Sequence, residues 1–198
     1  MSQPLPVVYL ARHGETAWNV SGQHTGLSDI PLTERGERNA RRLGERLRGL
    51  TFARVFTSPL QRARRTCELA GFGPVAAVDP DLAEWDYGDY EGRTSADIRK
   101  ERPDWQLFRD GCPGGESVAA VSARADRVVA RLRAVGGDVL VFSSGHFLRV
   151  LGARWCGLEA SAGRYLYLGT AALSVLGYEH DASEPVLRLW NDVRHAGE

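Results

Sequence analysis

Lysine is almost missing from this chain: Lys100 is the only one in 198 residues, so nearly all of the 25 basic side chains are arginine. That absence excludes a phosphate-binding loop of the G-x-x-x-x-G-K-[ST] type, because no lysine is available to make one. The arginine bias runs through surface-like and motif-like stretches alike, as a GC-rich genome produces. An arginine therefore counts only where its place in the fold demands it. Net charge is missing as well. The 25 acidic residues cancel the 25 basic ones, so no overall field draws the chain to nucleic acid or to an anionic membrane, and neither is an expected partner. Any anion site must be local. Long hydrophobic runs are lacking too: no segment approaches the ~20 apolar residues of a membrane span, and residues 1–6 carry neither a basic lead nor a long apolar run. Cysteine is scarce. Cys67, Cys112 and Cys156 are far apart, odd in number and outside paired metal-ligand spacing, which reads as reduced thiols in a cytoplasmic protein.

The length suits one domain over residues 1–198, large enough to bury roughly two thirds of its unfolded surface and to enclose a charged cavity. Residues 7–11 are a short run of β-forming side chains that stops at Arg12-His13-Gly14, and further strands are expected at residues 53–57, 75–78, 138–142, 171–178 and 186–190. Between them lie helical patterns. Thr33 caps a helix with Ala40, Leu43, Leu47 and Leu50 on its apolar stripe, its arginines alternating with glutamates as on a solvated face. Ser58-Pro59 reads as an N-cap followed by proline at the first helical position, with Leu60, Ala63, Cys67 and Ala70 buried. Thr94 with Asp97 opens a helix that Pro103 interrupts. Val118, Val121, Ala125, Val128, Leu132 and Val135 make an amphipathic helix, and another is expected over residues 147–156. Strands alternating with helices predict an α/β fold, a three-layer sandwich with a mainly parallel central sheet and helices on both faces.

In such sheets ligands bind beyond the carboxyl ends of the strands. The first strand delivers Arg12 and His13 there, the second delivers Arg62 on the opening turn of its helix, and the fourth delivers His146. Two arginines and two histidines converging at helix N-termini suit a phosphoryl group: guanidinium forks match phosphate oxygens, and the helix ends add backbone N–H donors. A single histidine after a strand is more often a structural hydrogen-bonder, so the signal lies in the conjunction.

Arg12-His13-Gly14-Glu15-Thr16 together with Ser144-Gly145-His146 resembles the histidine phosphatase superfamily, the phosphoglycerate-mutase-like family. The run Gly22-Gln23-His24-Thr25-Gly26-Leu27-Ser28-Asp29-Ile30-Pro31-Leu32-Thr33 is similar to a second family block, Ser58-Pro59-Leu60-Gln61-Arg62-Ala63 to the arginine-bearing one, and Glu84-Trp85-Asp86-Tyr87-Gly88-Asp89-Tyr90-Glu91-Gly92 to the acid-bearing one. With Arg109-Asp110-Gly111-Cys112 and Gly115-Glu116-Ser117, the chain most resembles the branch of sedoheptulose bisphosphatases and small-molecule acid phosphatases. The resemblance implies that His13 attacks phosphorus and forms phosphohistidine, that Arg12, Arg62 and His146 hold the equatorial oxygens, and that Glu84 is the general acid and base. Asn19 and Thr25 match family positions that contact the phosphate. Spacing alone does not select Glu84 from Asp81, Asp86, Asp89 and Glu91; the resemblance does.

Trp18, Trp85, Tyr87, Tyr90 and Trp105 stay unassigned between pocket wall and packing. Glu15 and His24 beside His13 and His146 suggest a metal, but the family needs none and nearby arginines would repel a cation, so neither metal nor cofactor is expected. The expected partner is a small phosphorylated substrate, sugar phosphates above all. The rival activity is a cofactor-dependent phosphoglycerate mutase, whose members usually carry a longer insertion before the second histidine; here 61 positions separate Glu84 from His146. A protein phosphatase or a non-catalytic binding module on the same fold is the second rival.

Overall fold

Two strands without a polar face set the centre of the sheet. β1 (Val8–Arg12) and β4 (Val139–Ser143) run parallel, Val8 opposite Val139 and Arg12 opposite Ser143, and β4 is buried at every position, as a parallel strand covered on both sides must be. The structure, a computed structural model, describes residues 5–197, so the reading of residues 1–4 as free of a targeting lead lies outside it.

On one side β4 pairs in parallel with β2 (Arg54–Thr57), and β2 with β3 (Ala76–Val78). On the other side β1 pairs antiparallel with β5 (Leu173–Tyr178), which pairs antiparallel with β6 (Pro185–Asp192). The order is β3-β2-β4-β1-β5-β6. All six expected strands are present, and the last two supply the antiparallel part of a mainly parallel sheet.

Alternation along the strands feeds two cores. Val8, Leu10, Val139 and Val141 face the helices α6 (Val118–Arg133) and α7 (Gly145–Trp155), where Val121, Val128, Leu132, Phe147 and Leu151 are buried. Ala11, Leu140 and Phe142 face α2 (Glu34–Arg46) and α3 (Gln61–Leu69) through Leu43, Leu47 and Cys67. The layers are therefore helix, sheet and helix, and truncating a fully buried Leu43 to alanine removes about 2–5 kcal/mol of stability. Burial pushes the thiols of Cys67 and Cys112 up to about 12, and all three cysteines are free. Among the described residues no helix is long and apolar enough to cross a membrane.

Local expectations were met unevenly. Thr33 caps α2 through Gly36 N–H, but Leu50 lies beyond the helix and is partly exposed. Ser58 does not cap α3. Leu60 holds that position without a side-chain cap, Ser58 Oγ accepts from Leu60 N–H, and Asp29 from a distant loop accepts from Gln61 N–H at 2.7 Å. A remote carboxylate thus satisfies a helix-start donor that local sequence does not. Thr94 caps α4 (Ser95–Glu101), which ends before Pro103, and α7 begins two residues earlier than expected, with His146 in its first turn. Two short helices were not anticipated: α1 (Ala17–Ser21), closed by Gly22 in the left-handed region, and α5 (Leu107–Asp110).

Candidate active site

The site begins where β1 ends. His13 N–H donates to Ser143 O at 3.0 Å and His13 O accepts from Ala171 N–H at 2.9 Å, so the residue after the strand is held by the end of β4 and by the turn that leads into β5. Gly14 follows because α2 crosses directly above it: a Cβ there would lie 2.5 Å from Gly36 O. The His13 ring is buried, and its Nδ1 lies 2.7 Å from Gly14 O. A carbonyl only accepts, so the ring proton sits on Nδ1 and Nε2 keeps its lone pair. Burial, then the positive charges of Arg62 and Arg12, hold the His13 pKa well below 6.5. The ring is neutral at physiological pH, with one nitrogen free to attack.

Six of the seven expected residues, Arg12, His13, Asn19, Thr25, Glu84 and His146, line one cavity of about 300 Å³. Arg12 donates through one Nη to Leu168 O at 2.6 Å. Asn19 closes a capping box with Thr16, its Oδ1 accepting from both the Thr16 N–H and hydroxyl at 3.0 Å, which leaves its NH2 as the remaining donor. Arg62 does not line the cavity. It is fully buried behind it, with its Nη atoms donating to Ser28 O, Thr25 O and Gly26 O at 2.7–2.9 Å, so it shapes the loop that carries Thr25. Four buried side-chain polar atoms among the described residues lack a protein partner, and three of them, Arg12 Nε, Arg62 Nε and Ser144 Oγ, belong to the motifs at these strand ends.

Glu84 is buried and faces the start of α7. Its Oε1 accepts from Trp85 N–H at 2.9 Å and Phe147 N–H at 2.7 Å, and its Oε2 accepts from His146 N–H at 3.0 Å. The carboxylate thus occupies the positive end of the helix that presents the second histidine. Asp86 and Asp89 do not reach the cavity; Asp86 Oδ1 accepts from Gly88 N–H.

The acid loop is clamped from α6. Arg124 donates to Asp81 O, Ala83 O and Glu84 O, forks onto the Glu116 carboxylate at 2.8 and 2.6 Å, and lies 4.3 Å over the Phe147 ring. Glu116 in turn accepts from Asp86 N–H and, through its carbonyl, from the Trp85 indole. In the sequence Glu116 stands only within the Gly115-Glu116-Ser117 motif, and no motif contains Arg124. The signal was there: Arg124 interrupts an apolar stripe between Val121 and Ala125.

His146 depends on Tyr87. The phenol oxygen lies 2.5 Å from His146 Nδ1, burial holds the phenol pKa well above 10, and the hydroxyl has no other hydrogen-bond partner among the described residues, so its proton is donated to Nδ1. That fixes the His146 proton on Nε2, as a donor. Burial, then Arg149, His24 and Arg12, push the His146 pKa well below 6.5, so the ring serves as a neutral donor. Of the aromatics left unassigned, Trp18 and Tyr87 line the cavity, while Trp85, Tyr90 and Trp105 are core residues, Trp85 and Trp105 with their indole N–H groups bonded to Glu116 O and Gly111 O. Glu15 is engaged by the Thr33 hydroxyl at 2.8 Å and by Arg35. His24, Gln23 and Arg149 also line the cavity and were not selected from sequence.

The family profile described as "Histidine phosphatase superfamily (branch 1)" matches residues 8–193. An acid phosphatase of Mycobacterium tuberculosis is 43% identical, over 86% of each chain. A sedoheptulose 1,7-bisphosphatase of Saccharomyces cerevisiae is 39% identical over 77% of this chain and 68% of its own, and a probable phosphoglycerate mutase GpmB of Photorhabdus laumondii is 34% identical over 95% and 94%. The solved structure of the open reading frame Rv3214 from Mycobacterium tuberculosis superposes with a TM-score of 0.89 at 40% identity, covering 94% of this chain and 97% of that one. With a neutral histidine, paired guanidiniums and a carboxylate gathered at the strand ends of this fold, the chain is a phosphatase-type hydrolase and belongs to the histidine phosphatase superfamily, branch 1.

Proposed function

We propose that the enzyme hydrolyses small phosphate monoesters, sugar phosphates above all, through a phosphohistidine formed on His13 with Glu84 as general acid and base. The observation that carries this reading is the His13 tautomer: the Nδ1–H bond to Gly14 O leaves Nε2 as a buried, neutral nucleophile in the same cavity as Glu84. In the first step Nε2 bonds to phosphorus while the ester P–O bond breaks, and a proton from Glu84 goes to the leaving oxygen. In the second step Glu84 takes a proton from water, whose oxygen displaces Nε2 and yields inorganic phosphate. Arg12 and the His146 Nε2–H stabilise the charge on the equatorial oxygens, while Arg62, behind the cavity wall, adds its positive charge beside His13 and holds the loop that carries Thr25. The cavity, at about 300 Å³, has the volume of a small-molecule site, which supports a metabolite over a folded protein as substrate. Three free cysteines fit a reducing compartment and support a cytoplasmic site of action.

The mutase is the second reading, favoured by the GpmB-named relative that matches 95% of this chain over 94% of its own length. A match of that extent leaves little room for a length difference, so the short span from Glu84 to His146 does not by itself separate the two activities. Rapid acid-free quenching with labelled substrate is expected to trap label on the wild type and not on His13→Ala; label on that variant removes His13 as the nucleophile. Supplying 3-phosphoglycerate with 2,3-bisphosphoglycerate, beside a panel of sugar phosphates, separates the activities. Phosphate release is expected to outrun isomer interconversion, and the reverse on every substrate replaces the phosphatase with the mutase.

A further inference from the structure

Residues 166–172 lead into β5 and reach the reacting centre on the way. Leu168 lines the cavity, and its carbonyl takes one Nη of Arg12 at 2.6 Å. Ala172 O accepts the Arg12 N–H at 3.0 Å, and Ala171 N–H donates to His13 O at 2.9 Å. The loop thus makes three hydrogen bonds to the adjacent pair Arg12 and His13, yet it belongs to no helix or strand that would fix it. Ala171 lies in the left-handed region, φ 55°, a conformation that an alanine keeps only where its surroundings hold it.

What holds it comes from β6 and the residues that follow. Trp190 Nε1 donates to Tyr167 O at 2.6 Å, and Asn191 Oδ1 accepts Gly169 N–H at 2.7 Å. Asn191 is itself fixed, with φ 60° and its own N–H on Ser174 Oγ at 3.0 Å. Beyond the strand, His195 Nε2 lies 2.9 Å from Ala171 O. A carbonyl only accepts, so Nε2 carries the ring proton, and Nδ1 is the fourth buried polar atom without a protein partner among the described residues. Burial holds the His195 pKa below 6.5, so the ring is neutral at physiological pH. The turn that carries it, Arg194–Ala196, is tied to α2 by Arg42, which donates to Ala196 O at 2.8 Å. One residue joins the two ends of this chain of contacts: Ala171 gives its N–H to His13 and its carbonyl to His195.

We propose that Asn191 and His195 are positioning residues for phosphoryl transfer: by fixing residues 166–172 they set the line of attack of His13 and the aim of the Arg12 fork. The inference rests on the reading of His13 as the nucleophile. Without the two side chains, the Gly169 amide and the Ala171 carbonyl lose their anchors, and the left-handed turn between them is free to relax. Leu168 O then no longer fixes the Arg12 guanidinium, and His13 keeps only its bond to Ser143 O as a firm support. A shift of about 1 Å in such groups costs up to about 10²-fold in rate.

The test compares the wild type with three variants. His195→Phe keeps a ring but no donor, His195→Gln returns an N–H near the Nε2 position, and Asn191→Gly accepts the left-handed backbone but loses the side-chain oxygen. Single-turnover transfer from p-nitrophenyl phosphate and the inhibition constants of orthovanadate and inorganic phosphate are measured on folded protein, with Tm followed in parallel. Five-coordinate vanadate mimics the transferring group and needs His13 and Arg12 in line, whereas phosphate tolerates a looser pocket. The double variant Asn191→Gly/His195→Phe is expected to lose at least about tenfold in transfer rate and in vanadate affinity, with KM and phosphate affinity within about threefold of wild type. His195→Gln is expected to recover most of what His195→Phe loses. Arg188→Gln, at the opposite end of β6 where its guanidinium donates to Tyr178 O, should alter Tm alone. Wild-type transfer and vanadate affinity in a folded double variant, or equal losses in His195→Gln and His195→Phe, overturn the proposal. Where the double variant does not fold, the single variants decide, and an unchanged ratio of vanadate to phosphate affinity in both His195→Phe and Asn191→Gly overturns it. These outcomes leave His13 as nucleophile untouched, whereas a wild type that turns over without label on His13 removes that reading and the positioning role with it.

Discussion

Replacing Glu84 with glutamine separates the chemistry of this carboxylate from its structural duty. Both oxygens accept backbone N–H bonds, from Trp85, Phe147 and His146, and all three donors are fixed. The amide can keep its oxygen toward Trp85 and Phe147, but its NH2 then faces the His146 N–H. One charge-assisted bond is lost and a buried donor is left unpaired, at a cost of about 2–3 kcal/mol. For a chain of this size that is a Tm lowered by about 4–12 °C, so Glu84→Gln is expected to fold. Activity should fall further than stability explains. Without the acid, transfer from an alkyl phosphate is expected to slow about 10²–10⁴-fold, whereas transfer from p-nitrophenyl phosphate, whose leaving group needs little protonation, should lose at least about tenfold less. Single-turnover rates are the right measure, because they report phosphoryl transfer to His13 for both esters. Asp86→Asn and Asp89→Asn, outside the cavity, should leave the alkyl-to-aryl ratio at its wild-type value. Equal losses on the two esters, or a ratio that moves with either aspartate instead, refute the assignment of Glu84.

Arg62→Ala is expected to lose at least ~10²-fold in turnover, since it removes a guanidinium beside His13 and frees three carbonyls of the loop that carries Thr25; near-wild-type turnover rules out both roles. Tyr87→Phe should leave the fold intact but release the His146 proton to either ring nitrogen, seen as mixed tautomers by 15N NMR and a rate lower by about tenfold; an unchanged Nε2–H tautomer refutes the link. Stability should fall on acidification below the ordinary histidine range. Burial holds His24 at about 4 rather than 6.5, so between those values the unfolded chain binds more protons than the folded one, and stability present above pH 6.5 is lost as pH falls toward 4. Tm measured from pH 7 to 4 is expected to drop less steeply for His24→Gln than for the wild type, and identical slopes dismiss His24 as a contributor.

The alternation of strands and helices was legible because each element's apolar period depends only on its own residues: residues 138–142 read as a buried strand and form β4 within one position. The stretches carrying His13, Arg62 and His146 were legible for a related reason, since each stands just beyond such a strand. Glu84 was not legible from spacing, because its distinction from Asp81, Asp86 and Asp89 lies in a hydrogen-bond set supplied by α7, about sixty residues later. Arg124 is flagged by its place on the apolar stripe of its helix, but its partners, Glu116 and the carbonyls of the acid loop, are supplied only by the tertiary structure.

What the sequence determined by itself, then, was the order of elements, the two faces of the sheet, the lack of any global charge and the residues delivered to the strand ends, all properties of local pattern and composition. What only the tertiary structure decided was protonation and aim. Gly14 O chooses the nitrogen that His13 presents, and Tyr87 chooses the one that His146 presents. Arg62 is turned behind the cavity wall by three carbonyls, while Arg149 is brought to its edge by two others. Each outcome rests on a donor or acceptor remote in the chain, or on the burial that sets a proton's cost, and neither exists until the layers close over the strand ends.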